Sequence, residues 1–241
     1  MKQILFSSVA ILAVVAHGQA ADPYVPPPDE VVVVAPAVNW TGAYLGLHGG
    51  WGWADGTAAY ADPFPCGPPG PVGCAISLDP EGAFVGGQIG YNYVFDNGFM
   101  IGIEGDYSFA NLTDAGDAGA GAFATHVDLE VDEMATIQAR LGYAMGEWLP
   151  FVTVGWGFAH AERTIFNPVL PGGGGSDSNW HDGWSVGGGV EYAINEHWSA
   201  KGEYRYMDLG DENYQVPTLG GGGTDVGLDI HTVRFGINYR F

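Results

Sequence analysis

Eight charged residues alternate with glycines and small polar residues along the chain, and together they could form buried ion pairs. Four are acids and four are bases, so their charges cancel, although the whole chain has a net charge of −21. A charge that leaves water must be paired and hydrogen-bonded, and a buried interior therefore favours equal numbers of both signs. The sequence predicts an ion-pair network formed by Glu104, Asp106, Arg140, Glu191, Lys201, Glu203, Arg205 and Arg234.

A second candidate for chemistry is the pair Cys66 and Cys74, the only two cysteines of the chain. They lie in a segment rich in proline and glycine that contains no histidine, so the segment lacks a further soft metal ligand. In an oxidising compartment such a pair forms a disulfide. The sequence therefore predicts a Cys66–Cys74 disulfide that closes a loop.

Patterns for catalysis or for cofactor binding are weak. Asp208, Asp229, His160 and His231 resemble groups that barrel enzymes place at a rim, but they match no recognised catalytic motif. The histidines show no paired metal spacing, and haemin capture by His126, His160 or His181 stays open as an alternative. We predict that the protein is not an enzyme, with no cofactor or metal site.

Composition restricts the class of protein further. The chain contains only 7 Lys and Arg residues against 28 Asp and Glu residues, which excludes nucleic-acid binding. A hydrophobic content of 46% and an aromatic content of 13% are too high for a disordered chain. Forty glycines without a collagen repeat, together with many aromatic residues, favour a β protein.

The first 39 residues predict export. Lys2 precedes an apolar run over residues 4–16, and Gly18-Gln19-Ala20 has the small residues of a cleavage site. The run is shorter than the roughly 20 residues of a membrane span, so residues 1–20 are interpreted as a signal peptide. Residues 21–39 are rich in proline and predict an extended periplasmic tether. The remaining domain is 40–241.

From Trp40 onward, apolar and small or polar residues alternate with period two, which is typical of strands exposed on two different faces. The alternation defines eight segments: 41–53, 83–95, 99–109, 134–145, 151–160, 183–194, 198–207 and 230–241. Four long connections (54–82, 110–131, 161–182 and 208–229) alternate with three short turns. This order predicts an all-β fold, an eight-stranded antiparallel transmembrane up-and-down β-barrel with both ends in the periplasm.

Two aromatic belts support the barrel, because tryptophan and tyrosine prefer the two membrane interfaces. The predicted outer belt contains Trp51, Trp53, Phe109, Trp184 and Tyr206. The predicted inner belt contains Trp40, Phe95, Phe99, Trp148, Tyr192, Trp198, Tyr239 and Phe241. An eight-stranded barrel has an interior just wide enough for its own side chains, so the eight charges are expected to plug the lumen.

Two stretches resemble a known family. Residues 39–46, Asn-Trp-Thr-Gly-Ala-Tyr-Leu-Gly, and the terminal strand, residues 234–241, resemble the small outer-membrane immunogenic, porin-like barrels of Gram-negative bacteria. The resemblance covers about residues 40–241. It implies an outer-membrane location and a terminal Phe241 that is read by the barrel assembly machinery. Members of this family are surface antigens, envelope-stability proteins, small porins or haemin binders.

These observations lead to one functional hypothesis and two alternatives. We expect an integral outer-membrane protein with a structural, surface-exposed antigen or host-contact role and a charge-plugged lumen. A small-solute porin is the first alternative, and haemin or divalent-cation binding by the loops is the second. The expected partners are outer-membrane lipid, lipopolysaccharide, the assembly machinery and an extracellular or host ligand at the loops. Acidic clusters at 128–133 and 208–229 could hold cations that bridge to lipopolysaccharide, but a solvated acidic surface is favoured because no spacing matches a cation-binding loop.

Overall fold

A computed structural model describes residues 38–60, 75–118, 125–166, 174–215 and 223–241 of the chain. The signal peptide, most of the tether and both cysteines, Cys66 and Cys74, lie outside these residues. The described strands are β1 (Gly42–Tyr60), β2 (Ala75–Leu78), β3 (Glu81–Val94), β4 (Phe99–Ala118), β5 (Thr125–Tyr143), β6 (Trp148–Phe166), β7 (Gly174–Ala193), β8 (Trp198–Gln215) and β9 (Gly223–Arg240). Among the described residues, no helix is long and apolar enough to cross a membrane.

The strands form a closed antiparallel ring. Each strand from β3 to β9 pairs with its neighbour in the sequence, and β1 pairs with both β3 and β9. The β1–β9 ladder is long, from Tyr44↔Arg240 to Tyr60↔Thr224, so the first and last strands stay paired over most of their described length. The predicted fold, an antiparallel up-and-down barrel with eight positions, is confirmed.

The second barrel position is split into β2 and β3. Both segments pair with β1, β2 opposite residues 56–59 and β3 opposite residues 42–53. The break falls at Asp79–Pro80, because proline has no amide hydrogen to donate to a ladder. Across the break, the Ala54 amide still donates to the Pro80 carbonyl at 2.8 Å.

The strands extend further than the alternation of lipid-facing residues predicted. For example, β4 ends at Ala118 rather than Phe109, and β6 ends at Phe166 rather than His160. Much of each predicted long loop is therefore strand. The sequence prediction missed these extensions because their pattern inverts: the inward residues become apolar and the outward residues become acidic, as in a wall that stands in water.

Three irregularities mark the level at which this inversion occurs. Register shifts interrupt the β4–β5 ladder between Phe109 and Leu112, the β5–β6 ladder between Val131 and Glu133, and the β8–β9 ladder between Asp208 and Asp211. A bulge adds a residue to one strand. In β5 this moves the buried series from even numbers (134–140) to odd numbers (127–131). The irregularity in β5 thus turns Val127, Leu129 and Val131 inward.

The barrel interior consists of three layers. The lower layer is an apolar cluster of Trp40, Met100, Leu149, Phe151 and Ala193. The middle layer is polar and contains the eight predicted charges. The upper layer is mainly apolar and is formed by Ala54, Leu78, Phe84, Leu112, Val127, Leu129, Val131, Met134, Ala159, Ala161, Met207, Leu209, Leu228 and Ile230. Arg163 and His181 are also buried at this level.

Three residues lie inside the barrel although the sequence suggested otherwise. Trp40, predicted for the inner aromatic belt, is only 2% exposed and belongs to the lower layer. Arg163 and Arg240, expected in loops and turns, are both buried. Arg163 and Arg240 occupy inward positions of β6 and β9, whereas Trp40 precedes β1 and folds into the end of the ring. The other belt residues remain outward, with Phe241 72% exposed.

Candidate functional site

The middle layer is a continuous network of ion pairs built around Glu104 of β4. Lys201 Nζ contacts both Glu104 carboxylate oxygens, at 2.8 and 2.9 Å. Arg140 reaches Glu104 at 3.3 Å and donates to Glu191 at 2.9 Å, which joins β4 to β5 and β7. The side chains of Glu104 and Arg140 are 0% exposed. Their attraction therefore acts without water between them.

The second half of the network centres on Asp106, one inward position above Glu104. Arg205 contacts Asp106 at 2.9 Å and Glu203 at 2.9 Å, and Arg234 contacts Asp106 at 3.1 Å. Lys201 links the two halves, since it also lies 3.4 Å from Glu203. The structure thus brings all eight sequence-predicted charges into one connected cluster that spans β4, β5, β7, β8 and β9.

Neutral side chains that the sequence prediction did not assign to the site complete the network. Tyr44 donates its hydroxyl hydrogen to Glu104 at 2.6 Å and accepts a hydrogen bond from Arg140 at 2.6 Å. Ser199 donates to Glu191 at 2.6 Å, and Thr136 donates to Asp106. The signal was present: each of these residues occupies an inward position of its strand.

A second chain of hydrogen bonds connects β1, β3, β4 and β9. His48 contacts Gln88 through Nδ1 and Ser108 through Nε2, the latter at 2.7 Å. Gln88 donates to Asn238 at 2.6 Å, and Asn238 donates to Glu191 at 2.9 Å. These hydrogen bonds therefore tie the polar layer to β1 and β3 on one side of the β1–β9 pairing and to β9 on the other.

Inward glycines make room for these long side chains. A Cβ at Gly90 would collide with the Tyr44 hydroxyl, and a Cβ at Gly187 would approach the Thr153 hydroxyl at 2.7 Å and Glu203 at 3.2 Å. The high glycine content of the polar face therefore follows from the narrow lumen. A larger residue at either position would displace part of the network.

The lower layer closes one end of the barrel. The three short turns and the described chain ends lie at this end of the barrel. Trp40 precedes β1, folds inward and donates its indole hydrogen to the Gly146 carbonyl at 3.0 Å. The guanidinium of Arg240 lies 4.2 Å from the centre of the Trp40 ring. Cation–π contact and apolar packing thus hold Trp40 across the opening.

The outer wall above the upper belt is acidic, and its carboxylates pair with the belt. Trp156 donates to Asp182 at 2.8 Å and Trp184 donates to Asp208 at 3.1 Å. All Lys and Arg residues that the structure describes are at most 4% exposed. The described outer surface therefore presents carboxylates, aromatic rings and histidines, without an exposed Lys or Arg.

The predicted rim residues do not form a common catalytic centre. Asp208 and Asp229 are register partners on the outer wall, and His231 stacks on Trp53 at 5.7 Å and pairs with Tyr204 at 2.7 Å. His160 lies on a different strand and contacts Asp132 at 2.7 Å.

The histidines considered for haemin are likewise separated. His126 lies on β5 and pairs with Asp117 at 3.0 Å, whereas His181 is buried on β7. Within the described ranges, no group of three His, Cys, Asp or Glu side chains could hold a metal ion.

Comparison with known proteins identifies the family. The model of the outer-membrane protein β-barrel domain matches residues 7–241. The chain belongs to this outer-membrane β-barrel family. It is 34% identical to the 31 kDa outer-membrane immunogenic protein of Brucella melitensis, with 100% of both chains covered. It is 30% identical to the 25 kDa outer-membrane immunogenic protein of Brucella abortus, over 100% of this chain and 99% of the relative.

Solved structures show the same fold at low sequence identity. OprG from Pseudomonas aeruginosa matches with a TM-score of 0.51 and 15% identity, over 85% of this chain and 99% of OprG. The protease OmpT from Escherichia coli matches with a TM-score of 0.53 and 9% identity, over 82% of this chain and 97% of OmpT. The predicted family, the barrel fold and the outer-membrane location are thus confirmed.

Proposed function

We propose that this family member is a structural barrel of the outer membrane with a closed lumen, and that its outer section is displayed as an antigen or host-contact surface. The observation that carries the proposal is the layered interior, in which the ion-pair network lies between two apolar layers. The immunogenic relatives support the display of the outer section.

The layers oppose conduction for different physical reasons. A hydrated ion loses its water shell in the apolar layers, and a charge transferred to such surroundings is strongly disfavoured. In the middle layer, an ion must displace charges that are already paired at 2.8–3.4 Å. An eight-position barrel leaves little lumen beyond the volume of its own side chains.

The first experiment is single-channel recording on the refolded mature chain, residues 21–241, in a planar bilayer. Heat-modifiable migration on a gel confirms that the protein is folded, and a general-diffusion porin in the same apparatus confirms that conductance is detectable. We expect a silent bilayer. Stable and uniform conductance steps would replace the closed barrel with the alternative function, a small-solute porin.

The absence of an enzymatic role is part of the same proposal. Its support is the separation of His160 from the Asp208, Asp229 and His231 group, and the placement of these side chains on the outer wall. The likeness to OmpT concerns the fold alone at 9% identity. Peptide and lipid hydrolysis assays on the refolded protein test this point, and turnover that is lost in His231→Ala would contradict it.

We also propose that the terminal strand directs assembly. Phe241 faces outward at the end of β9, where its ring packs edge-on against Tyr239 at 5.3 Å. Deletion of Phe241 is expected to reduce insertion in cells while leaving refolding into detergent micelles intact. Equal losses in both assays would assign Phe241 to stability instead of recognition.

Contact with lipopolysaccharide is a further proposed partnership, and it is expected to depend on divalent cations. The described outer wall offers carboxylates to the anionic lipid, so a bridging cation is needed for attraction. Chelation with EDTA should lower the Tm in bilayers that contain lipopolysaccharide and leave it unchanged in phosphatidylcholine. Equal behaviour in both bilayers would argue against cation bridging.

A further inference from the structure

A strip of the outer wall on β1, β9 and β8 changes from acidic through aromatic to apolar along the strands. Strand β9 pairs in register with β1 on one side and with β8 on the other, so outward residues of the three strands form rows. One row contains Asp55, Asp229 and Asp208, and the row below it contains Trp53, His231 and Tyr206. Two rows farther down lie Gly49, Phe235 and Gly202. We call this region the graded strip.

The acidic row of the graded strip has no basic side chain beside it among the described residues. Neighbouring strands are about 4.8 Å apart, so the three aspartates lie next to each other. Like charges directly opposite each other on a sheet are destabilising. All described Lys and Arg residues are at most 4% exposed and lie inside the barrel. The row therefore attracts a positive charge from outside the chain.

Neutral hydrogen-bond donors hold two of these carboxylates without removing their charge. Trp184 donates to Asp208 at 3.1 Å, and the Tyr206 hydroxyl forms a hydrogen bond with Asp229. The side chain of Asp55 is 70% exposed. The negative charge of the row is thus fixed in position and open to a ligand.

Aromatic rings directly below the aspartates suit an organic cation. The His231 ring stacks on Trp53 at 5.7 Å, and the Tyr206 ring lies 4.9 Å from His231. One row lower, the Tyr204 hydroxyl lies 2.7 Å from His231 Nδ1 and fixes the imidazole. The faces of tryptophan and tyrosine rings carry negative charge density, and proteins recognise quaternary ammonium groups through such rings.

Two indoles of β1 offer hydrogen-bond donors at the same level. Trp51 is 50% exposed and Trp53 is 37% exposed. The indoles of Trp156 and Trp184 donate to carboxylates, whereas those of Trp51 and Trp53 donate to no residue in the described part of the chain. Their N–H groups are suited to an anionic oxygen that lies closer to the membrane than the cation.

Below the rings, small residues open a groove in the lipid-facing wall. Gly49 and Gly202 lie on either side of Phe235, and the groove has a volume of about 720 Å³. Its lining includes Leu47, Ile237 and Ala200. From His231 to Ile237 the strand rises roughly 20 Å, more than half of a hydrocarbon core that is roughly 30 Å thick. An acyl chain of one leaflet can therefore lie along the groove.

From this order of groups we infer that the graded strip binds a phospholipid with a choline head group. The quaternary ammonium lies against the rings and the aspartate row, the phosphate lies near the indoles of Trp51 and Trp53, and an acyl chain follows the groove past Phe235. A lipid whose head group has a net negative charge is repelled by the aspartate row. The strip therefore selects a zwitterionic lipid over an anionic one.

This inference goes beyond the proposed closed barrel and does not depend on it, because the strip lies on the outside of the wall. A conducting barrel would leave the lipid site unaffected, and failure of lipid binding would not reopen the lumen. The proposed contact with lipopolysaccharide is also separate. Choline carries its own positive charge, so EDTA should leave the binding of this lipid unchanged.

Native mass spectrometry of the refolded mature chain, residues 21–241, measures lipid binding directly. The detergent solution contains equal amounts of phosphatidylcholine and phosphatidylglycerol with identical acyl chains. We expect the choline lipid to bind at least about tenfold more tightly, a difference of about 1.4 kcal/mol. Equal binding of the two lipids would mean that the groove accepts any acyl chain, and it would overturn the inference.

Removal of two charges from the acidic row tests the head-group site. Asp55→Asn combined with Asp229→Asn should abolish the preference for choline lipid. The control combines Glu162→Gln with Asp182→Asn, which removes two acids from the exposed wall of β6 and β7. Heat-modifiable migration on a gel confirms that both variants fold. The same loss of preference in both would indicate the net charge of the chain and refute a local site.

A bulkier side chain in the groove tests the acyl-chain site. Ala200→Phe should weaken the binding of choline lipid, because the added ring occupies the groove. Ala139→Phe adds the same ring to the lipid-facing side of β5 and should have no effect. Undiminished binding in Ala200→Phe would refute the groove as part of the site.

NMR contacts in the native chain decide the question if a variant does not fold. In phosphatidylglycerol nanodiscs with a minor fraction of phosphatidylcholine, the choline methyl protons should contact the rings of Trp53, His231 and Tyr206. Equal contacts with Trp156, on the other side of the barrel, would mean general attraction to the aromatic belt. Loss of the contacts on addition of EDTA would mean that a divalent cation bridges the lipid. Either result would overturn the inference.

Discussion

The guanidinium of Arg240 lies 4.2 Å from the centre of the Trp40 ring, and this contact joins the first residues of the barrel domain to its last strand. Trp40 is held from the other side by its hydrogen bond to Gly146 in the turn between β5 and β6. This end of the barrel is therefore closed by a residue that belongs to no strand.

Replacement of this residue tests the lower layer. Trp40→Ala removes the ring from contact with Met100, Leu149 and Phe151, and we expect a loss of about 3–5 kcal/mol in the free energy of unfolding, as for other buried aromatic truncations. Urea unfolding in detergent measures the loss. Trp198→Ala, which removes a 45% exposed lipid-facing ring, is the control. Equal losses in both variants would assign Trp40 to the inner belt after all.

The ion-pair network predicts a large penalty for charge reversal. In the native chain Arg140 pairs with both Glu104 and Glu191, and Arg140→Glu would place a third carboxylate beside them. Breaking a buried pair costs about 3–5 kcal/mol, so the thermal unfolding transition in detergent should fall sharply. Ser176→Glu adds an acid on the exposed outer wall and should leave the transition unchanged. An unchanged transition in Arg140→Glu would refute the structural role of the network.

Two glycines of β3 lie on opposite faces of the strand, Gly90 towards the lumen and Gly87 towards the outside. Gly90→Ala directs a methyl group at the Tyr44 hydroxyl and is expected to cost about 1–3 kcal/mol through overpacking. Gly87→Ala, on the opposite face of the same strand, meets only ordinary contacts, the nearest at 3.4 Å from the Gly46 carbonyl. Refolding yield and urea midpoints should therefore differ between the two variants. Similar behaviour would mean that the glycines act through the strand backbone alone.

The upper section contains a titratable contact in water. A hydrogen bond to Asp117 and the nearby charge of Asp128 raise the pKa of His126 above its ordinary value of 6.5. Because Asp117 and His126 are register partners of β4 and β5, protonated His126 stabilises this pairing. The stabilisation is complete at pH values below 6.5 and disappears as the pH rises through the folded-state pKa.

Titration of the His126 ring signals by NMR measures this pKa directly. Asp117→Asn removes the first-named cause, and the pKa should move back towards 6.5. The protection factors of the β4–β5 upper strands, corrected for base-catalysed intrinsic exchange, should be higher at pH 5.5 than at pH 8 in the native chain only. An ordinary pKa in the native chain would contradict the contact.

The sequence was most informative where the membrane constrains it. Residues such as Ile101, Ile103, Leu141 and Val152 must face lipid, so period-two alternation revealed the strands and their order. The same face pattern selected all eight lumen charges. The polar face of β1 also includes Tyr44 among its glycines. The sequence pattern does not show that the Tyr44 hydroxyl will donate a hydrogen bond to Glu104.

Above the membrane the sequence was less informative. The outward residues of the upper strands are acidic and the inward residues are apolar, as in any soluble sheet, and register shifts interrupt three of the ladders. These strands were consequently predicted as loops. The sequence prediction also placed three residues wrongly: Trp40, Arg163 and Arg240. Outside the membrane-facing strands, the sequence pattern does not tell which side chains will point into the closed ring.

The sequence by itself determined the barrel class, its strand order, its outer-membrane location and the identity of the balanced charges, because lipid and a narrow lumen impose a strict alternation on each strand. Only the tertiary structure decided which acid pairs with which base, how Trp40 closes the lower end, and that Asp55, Asp208 and Asp229 share one row of the outer wall. These features depend on contacts between residues as far apart in the chain as Asp106 and Arg234, and closure of the ring alone brings such residues together.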